Sequence, residues 1–419
     1  MALLFPLFLL LSAALLAQSA WSLRDGYRFL AYLRRSLRAE PRGFHPAAAV
    51  IVPVRGVDAE TERNIDALFA QDYPEYELIF AVARESDPTF ASLTARCSPG
   101  RRNGAVRTPR LPGAPAGRGP RAARVLLAGV TTERGEKVNN LLAGLRAVSP
   151  HAGVLVFADA DARPRGDWLR SLIDPLGDPA VTVSTGFRWY LPGASAASRL
   201  RAAWDASIAT LLGEHRSNFA WGGSMAIRAE EFRRLKVAEL YWARTVSDDY
   251  GLTRAVRDAG GWIRFEPRCL VPSMGGVTLG AFLRWANRQI IITRVYAHHL
   301  WAWGLASHAL FCGTIAIGLA ITLLGPGPRE RLLAAGSIVS IVLLGLAKAH
   351  LRTRVARLAF PENEQISQEA SCYWRWWPLV PWIMLVNFVT AGFTRRIEWS
   401  GTAYRLISAE EVRVIQHDR

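Results

Sequence analysis

A chain of 419 residues is long enough for two or three domains, and 50% of it is hydrophobic. The formal net charge of +16 is carried by arginine, since only Lys137, Lys236 and Lys348 are lysines. The arginines crowd beside apolar segments, where the positive-inside rule and anionic headgroups place them, so the charge does not imply a nucleic-acid partner; the scattered Cys97, Cys269, Cys312 and Cys372 point to neither a disulfide framework nor a zinc site.

Residues 2–21 form the first apolar run. Ala17-Gln18-Ser19-Ala20 looks like a cleavage site, but no charged segment precedes the run, and positive charge follows it from Arg24 to Arg42. This bias predicts an uncleaved anchor over 1–23, with its N-terminus outside and the next domain in the cytoplasm.

Ala47 to Val54 is a continuous apolar run, as expected of a parallel strand covered on both faces. Arg55-Gly56-Val57-Asp58 reads as a turn and Glu60 to Gln71 as a helix. Glu77 to Ala83 is a second strand, ending in the acidic segment Arg84-Glu85-Ser86-Asp87-Pro88. Residues 98–123, rich in Pro, Gly and Arg, read as a mobile loop; Arg124 to Ala128 is a third strand and 153–157 a fourth. Strands alternating with helices predict an α/β doubly wound sheet over about 45–278, with ligands at the carboxyl ends of its strands. Asp58, Asp87, Asp159 and Asp161 all follow such ends.

The fourth strand stops at Asp159-Ala160-Asp161. In a strand, carboxylates spaced i, i+2 diverge; at its turning end both can converge on one cation. Their oxygens suit Mg²⁺ or Mn²⁺, which commonly carry substrate phosphates. Asp161 before Arg163-Pro164 could equally form a turn. A second cluster, Ser247-Asp248-Asp249-Tyr250, offers a general base, or a cap for the helix running to Asp258. Trp221-Gly222-Gly223-Ser224-Met225 reads as a tight turn into a strand, whose glycines permit close backbone approach to a ligand.

Leu279, Phe282, Leu283, Trp285, Ile290 and Ile291 mark an amphipathic, interfacial helix over 279–299. Residues 300–324 and 332–347 read as a transmembrane hairpin (300–348) turning at Gly325-Pro326-Gly327-Pro328 and returning to Lys348, Arg352, Arg354 and Arg357. The segment 374–394, with Pro378, Pro381 and four tryptophans, reads either as a crossing or as re-entrant; the second keeps the tail 395–419 in the cytoplasm.

Several of these motifs, in this order, resemble membrane-bound glycosyltransferases of family 2 type, with the GT-A (Rossmann-like) fold. The resemblance covers about residues 45–405 and is closest to ceramide glucosyltransferases and their bacterial relatives. It is carried by Val52 to Asp58, Gln71-Asp72-Tyr73-Pro74 with Tyr76-Glu77, Gly135-Glu136-Lys137-Val138-Asn139-Asn140-Leu141, Asp159-Ala160-Asp161, Asp248-Asp249-Tyr250, Arg284-Trp285 and Arg396 to Tyr404. Two positions depart from that pattern: Ala281 stands where Gln or Arg would open the Arg-Trp motif, and the first acidic motif is Arg84-Glu85-Ser86-Asp87.

The resemblance implies an inverting transfer of a hexose, glucose first, from UDP-glucose or a similar nucleotide sugar to a membrane lipid such as ceramide. Asp249 is then the base. Asp159 and Asp161 hold Mg²⁺ or Mn²⁺ against the leaving diphosphate. Asp58 and Glu85 or Asp87 bind uridine and ribose, Lys137 orients the donor site, Arg284 grips the pyrophosphate and Trp285 stacks nearby. Gly222, Gly223 and Asp248 meet the acceptor. The expected protein is integral to the inner (cytoplasmic) membrane, its catalytic domain facing the cytoplasm. A processive polysaccharide synthase shares the acidic motifs but needs more spanning segments for a channel; a non-catalytic membrane scaffold fits poorly with intact Asp159, Asp161 and Asp249.

Overall fold

The computed structural model describes residues 4–56, 59–97, 101–102, 105–106, 119–273 and 275–416. Asp58 and most of the 98–123 loop lie outside the described residues. The chain forms two compact units. One comprises Met1–Arg34, Tyr190–Leu211 and Met274–Thr394; the other comprises Arg35–Trp189, Leu212–Ser273 and Arg395–Arg419. The span expected for the catalytic domain is thus interrupted by Tyr190–Leu211 and completed by the C-terminal tail.

The second unit is built on a sheet of seven strands among the described residues: β1 (Ala48–Val54), β2 (Tyr76–Val82), β3 (Ala122–Leu127), β4 (Val154–Ala158), β5 (Val181–Tyr190), β6 (Ser224–Arg228) and β7 (Trp262–Ser273). Their order is β3-β2-β1-β4-β6-β5-β7. β1, β2, β3 and β4 pair in parallel, whereas β6 runs antiparallel to β4 and β5. This is the α/β class expected from the strand–helix alternation.

Both faces of the parallel strands are covered, which explains their unbroken apolar runs. Val50, Val52 and Val54 of β1 join one core with Leu78, Phe80, Val82, Val154 and Val156. Ala49 and Ile51 join the opposite core with Ile79, Leu155, Phe157 and Val138. Successive side chains therefore enter two different layers, as the period of a strand requires. Pro53 is tolerated in this central strand because the ladder to β4 ends at Ile51↔Phe157. The parallel run brings the carboxyl ends of β1, β2 and β4 to one edge of the sheet.

The tail adds a three-stranded antiparallel sheet, β8 (Arg396–Trp399), β9 (Thr402–Leu406) and β10 (Val412–Gln416). It is tied into its unit by Val412 N donating to Arg244 O at 3.1 Å and by an Arg254–Glu410 ion pair at 2.6 Å.

The first unit is helical. Among the described residues four helices are long and apolar enough to cross a membrane: Leu4–Arg38, His298–Leu324, Pro328–Ala359 and Cys372–Phe393. The first does not end near residue 23. It runs on through Arg24, Arg28, Arg34 and Arg35 to Arg38, passing Gly26 without a break and stopping ahead of Pro41. The hairpin is built as expected, with Gly325–Gly327 between its two helices. Helix Leu279–Tyr296 buries Phe282, Ala286, Ile290 and Ile291, and Thr278 caps it by accepting from Ala281 N at 3.3 Å. A buried polar relay joins three helices of this unit: Trp204 Nε1 donates to Asn387 Oδ1 at 3.3 Å, and Asn387 Nδ2 donates to Asn287 Oδ1 at 2.6 Å.

Candidate active site

Asp159 and Asp161 follow β4 directly, at the sheet edge where the parallel strands end. Opposite them, helix Glu136–Leu145 presents Lys137 from its first turn. Lys137 Nζ lies 2.8 Å from Asp159 Oδ1 and 3.1 Å from Asp248 Oδ2. The helix is fixed there by local sequence. Gly135 N donates to Thr245 O at 2.9 Å, and a Cβ on Gly135 would stand 2.9 Å from Val246 Cα. Asn139 Nδ2 donates to Gly129 O at 2.9 Å, tying the next turn to the segment after β3. The Lys-x-Asn spacing thus places an ammonium on the acidic cluster and an amide on the neighbouring strand end.

Arg188 of β5 supplies a second cation that the sequence motifs did not flag. Its Nη2 lies 3.0 Å from Asp159 Oδ2 and 2.5 Å from Asp161 Oδ1, and its Nη1 lies 2.8 Å from Asp161 Oδ2. Its guanidinium also sits 5.3 Å from the Trp221 ring centroid. The five side chains form a line of alternating charge: Asp248, Lys137, Asp159, Arg188, Asp161.

Burial alone would lower the pKa of Lys137, but Asp159, Asp248 and Asp249 outweigh it and hold the value above that of an ordinary lysine. Lys137 is therefore a permanent ammonium. The Asp248 carboxyl is pushed up to about 7, first by burial and then by Asp249 and Asp159, against the pull of Lys137. For Asp161, crowding that would raise the pKa is overcome by the Arg188 guanidinium, which holds it below the usual carboxylate value. Asp161 nonetheless keeps a side chain 65% exposed to solvent.

The second acidic pair divides between two environments. Asp248 is 1% exposed, enclosed by Lys137 and the Trp221–Ser224 turn. Its carboxylate is thus packed inside the cluster, facing Lys137. Asp249 is half-buried, and its Oδ1 accepts from Ser247 Oγ and from Tyr250 N at 2.8 Å. Neither aspartate caps helix Asp248–Asp258; Ser247 does. The described hydrogen bonds to Asp249 both fall on Oδ1, so Oδ2 is the oxygen considered as a base.

Gly222 and Gly223 press on the charged line from above. A Cβ on Gly222 would lie 2.2 Å from Asp248 Oδ2 and 2.7 Å from Lys137 Nζ, and one on Gly223 would lie 2.7 Å from Asp159 Oδ2. Only glycine permits this approach. The glycines thus pack the acidic cluster itself, and their closeness to carboxylates differs from the acceptor contact expected of them.

At the end of β2, Glu85 is exposed in the turn. Asp87 is engaged with backbone: its carboxylate accepts from Gly56 N at 2.9 Å and from Thr89 N at 2.9 Å, capping the helix Pro88–Cys97. Asp87 therefore shapes the β1 and β2 ends, and Glu85 is the one of the two open to solvent. Arg55, after β1, donates to Glu136 Oε2 at 3.0 Å and to Thr402 Oγ1 at 3.3 Å, while Glu136 N donates to the Tyr404 hydroxyl at 3.2 Å. The tail motif so reaches the helix that carries Lys137.

Arg284 and Trp285 belong to the other unit. There Arg284 is exposed and Trp285 packs edge-on against Tyr190 and Trp204, at 5.4 and 5.1 Å between centroids. Trp285 is part of an aromatic cluster within its own unit.

The oxygens of Asp159 and Asp161 suit a hard dication, and three carboxylates against two cations leave the cluster short of positive charge. The donor set fits Mg²⁺ or Mn²⁺. Among the described residues no group of three or more His, Cys, Asp or Glu side chains is placed to hold a metal ion.

The model of glycosyl transferase family 21 matches residues 7–95 and 120–412. Among solved structures, the chain is similar to mannosyltransferase PcManGT from Pyrobaculum calidifontis in complex with GDP-Man and Mn²⁺, at 16% identity over 91% of this chain and 99% of that one, with a TM-score of 0.45. It is also similar to glucosyl-3-phosphoglycerate synthase from Mycobacterium tuberculosis in complex with phosphoglyceric acid (18% identity, 62% and 81% covered, TM-score 0.36). A third similarity is to S. aureus TarS 1–349 in complex with UDP-GlcNAc (11% identity, 89% and 100% covered, TM-score 0.36). No curated protein matches. Scores this low carry no argument about sugar or acceptor.

Proposed function

The chain belongs to glycosyl transferase family 21, and on that premise we propose that this glycosyltransferase moves glucose from UDP-glucose to the hydroxyl of a membrane lipid, ceramide or a close relative, with inversion. The observation that supports this most is the single lysine joining both acidic motifs: Lys137 ties Asp159 to Asp248, and Asp249, next in the chain, is held through Oδ1.

In this reading the acceptor oxygen forms its bond to the anomeric carbon as the bond to the diphosphate breaks. The electron pair leaves with the diphosphate, and the hydroxyl proton passes to Asp249 Oδ2. The Ser247 and Tyr250 hydrogen bonds hold Asp249 Oδ1, fixing which oxygen faces the acceptor. Lys137 holds Asp159 in place and supplies positive charge close to the leaving group. Asp159 and Asp161 are the residues that would hold a Mg²⁺ or Mn²⁺, which would supply positive charge for the departing diphosphate. Glu85 is the residue for the uracil or ribose, with Asp87 shaping the loop beside it.

A lipid acceptor is favoured by the four apolar helices. The tail lies in the same compact unit as the sheet. Two crossings by the hairpin return the chain to the side it left, so 372–393 enters and leaves the membrane on that side. Arginine flanks at Arg24–Arg38 and Arg352–Arg357 assign that side to the cytoplasm.

The test is transfer by purified protein in detergent, supplied with UDP-sugars, Mg²⁺ or Mn²⁺ and a panel of lipids, with products identified by mass spectrometry. A monoglucosylated lipid is expected, and Asp249→Asn abolishes it while nucleotide binding persists. Absence of any glycolipid refutes the reading; a polymer would favour a processive synthase.

A further inference from the structure

Every oxygen of the Asp159-Ala160-Asp161 pair is already matched by a cation of the chain itself. Asp159 Oδ1 faces Lys137 Nζ at 2.8 Å, and Asp159 Oδ2 faces Arg188 Nη2 at 3.0 Å. Both Asp161 oxygens are taken by the same guanidinium, at 2.5 and 2.8 Å. Arg188 thus grips Asp161 as a bidentate fork and shares one nitrogen with Asp159. It occupies carboxylate oxygens that a dication held by this pair would need.

The two partners differ in access. The Arg188 side chain is only 12% exposed and lies over the Trp221 ring, whereas Asp161 is open to solvent. Arginine stays protonated throughout the working pH range, so it cannot yield its place by losing a proton. It yields only by moving, and a guanidinium that leaves a carboxylate has a natural second partner in a phosphate, which presents the same paired oxygens.

We propose that Arg188 is the resident counter-cation of the Asp159–Asp161 pair, competing with the divalent ion for Asp161 and passing to the diphosphate when nucleotide and metal enter together. This rests on the reading of the pair as a metal–diphosphate site. Arg188 is a positioning residue in the nucleotide-free protein and a diphosphate ligand in the loaded one. Metal alone must displace a bound guanidinium; metal with nucleotide offers that guanidinium a new anion. Binding of the two is therefore cooperative, and the cooperativity is reciprocal.

The experiment is titration of Mn²⁺ into the full-length protein, followed by the electron paramagnetic resonance of free Mn²⁺, with and without UDP. For the unaltered protein, UDP tightens Mn²⁺ binding by about tenfold or more, the scale of one charge-assisted contact exchanged. Arg188→Gln binds Mn²⁺ alone about tenfold more tightly than the unaltered protein and loses most of the enhancement by UDP. Arg188→Lys, which keeps the charge but not the fork, falls between and serves if the glutamine variant does not fold. Adding Asp161→Asn to Arg188→Gln removes the gain. Equal or weaker Mn²⁺ binding in Arg188→Gln, with UDP-enhanced binding intact in the unaltered protein, overturns this inference alone. Absence of Mn²⁺ binding in every variant, with or without UDP, overturns both it and the metal site it rests on.

Discussion

Lys137 Nζ sits 2.8 Å from Asp159 Oδ1, pinning the first turn of one helix to the end of a strand in the opposite half of the sheet edge. The same ammonium reaches Asp248, so its loss strands two enclosed carboxylates at once. Breaking a buried pair by removing one partner costs about 3–5 kcal/mol. Lys137→Met is expected to lower unfolding free energy on that scale and to abolish transfer. Chemical denaturation in detergent measures the first; a variant as stable as the parent would show that the lysine does not hold the cluster together.

Gly222 offers a steric test. A methyl group there would overlap Asp248 and crowd Lys137, whereas one on Gly276 would meet nothing within 4 Å. Displacing catalytic groups by about 1 Å can cost about 10²-fold in rate. Gly222→Ala should lose transfer by that factor or more, and Gly276→Ala should stay within twofold or so of the parent. Initial rates on the two variants decide it; equal rates would mean the turn tolerates the bulk.

Protonation of Asp248 links stability to pH. Its carboxyl is raised from 3.8 to about 7, so the folded chain binds this proton more tightly than the unfolded one. The stabilising contribution is complete below about pH 4 and is lost as pH rises through about 7. Asp248→Asn removes that slope. The stability of the parent relative to the variant should therefore fall steadily from about pH 4 to about pH 8, and a flat difference across that window would refute the raised value.

Tyr404 accepts a hydrogen bond from Glu136 N, an amide at the start of the Lys137 helix. Tyr404→Phe leaves that amide without its partner in a buried place, at a cost of about 1–3 kcal/mol. A lower melting temperature together with a raised KM for the nucleotide sugar is expected. Unchanged values for both would detach the tail from the donor site.

Much of this site was legible in sequence because it lies at strand ends. Continuous apolar runs such as Ala48–Val54 and Val154–Ala158 announce buried parallel strands, and a carboxylate just beyond one must lie at the sheet's edge. Arg188 was not legible. It is the eighth residue of an ordinary strand, Val181–Tyr190, and meets its aspartates only through the register of β5, β6 and β4. Helix caps were misjudged for a related reason: Ser247, Asp248 and Asp249 are all favoured cap residues, and only the backbone's turn selects Ser247. Asp87 likewise reads as a ligand by type but spends its oxygens on Gly56 and Thr89. The Arg284-Trp285 motif was visible, yet its aromatic neighbours Tyr190 and Trp204 come from a distant part of the chain.

The clasp of Arg55 and Glu136 by Thr402 and Tyr404 sets an order of assembly during synthesis. Thr402 and Tyr404 follow all four apolar helices in chain order, so they are synthesised after them. A nascent chain still threading into the bilayer therefore has its aspartates but not the strand that steadies their lysine-bearing helix.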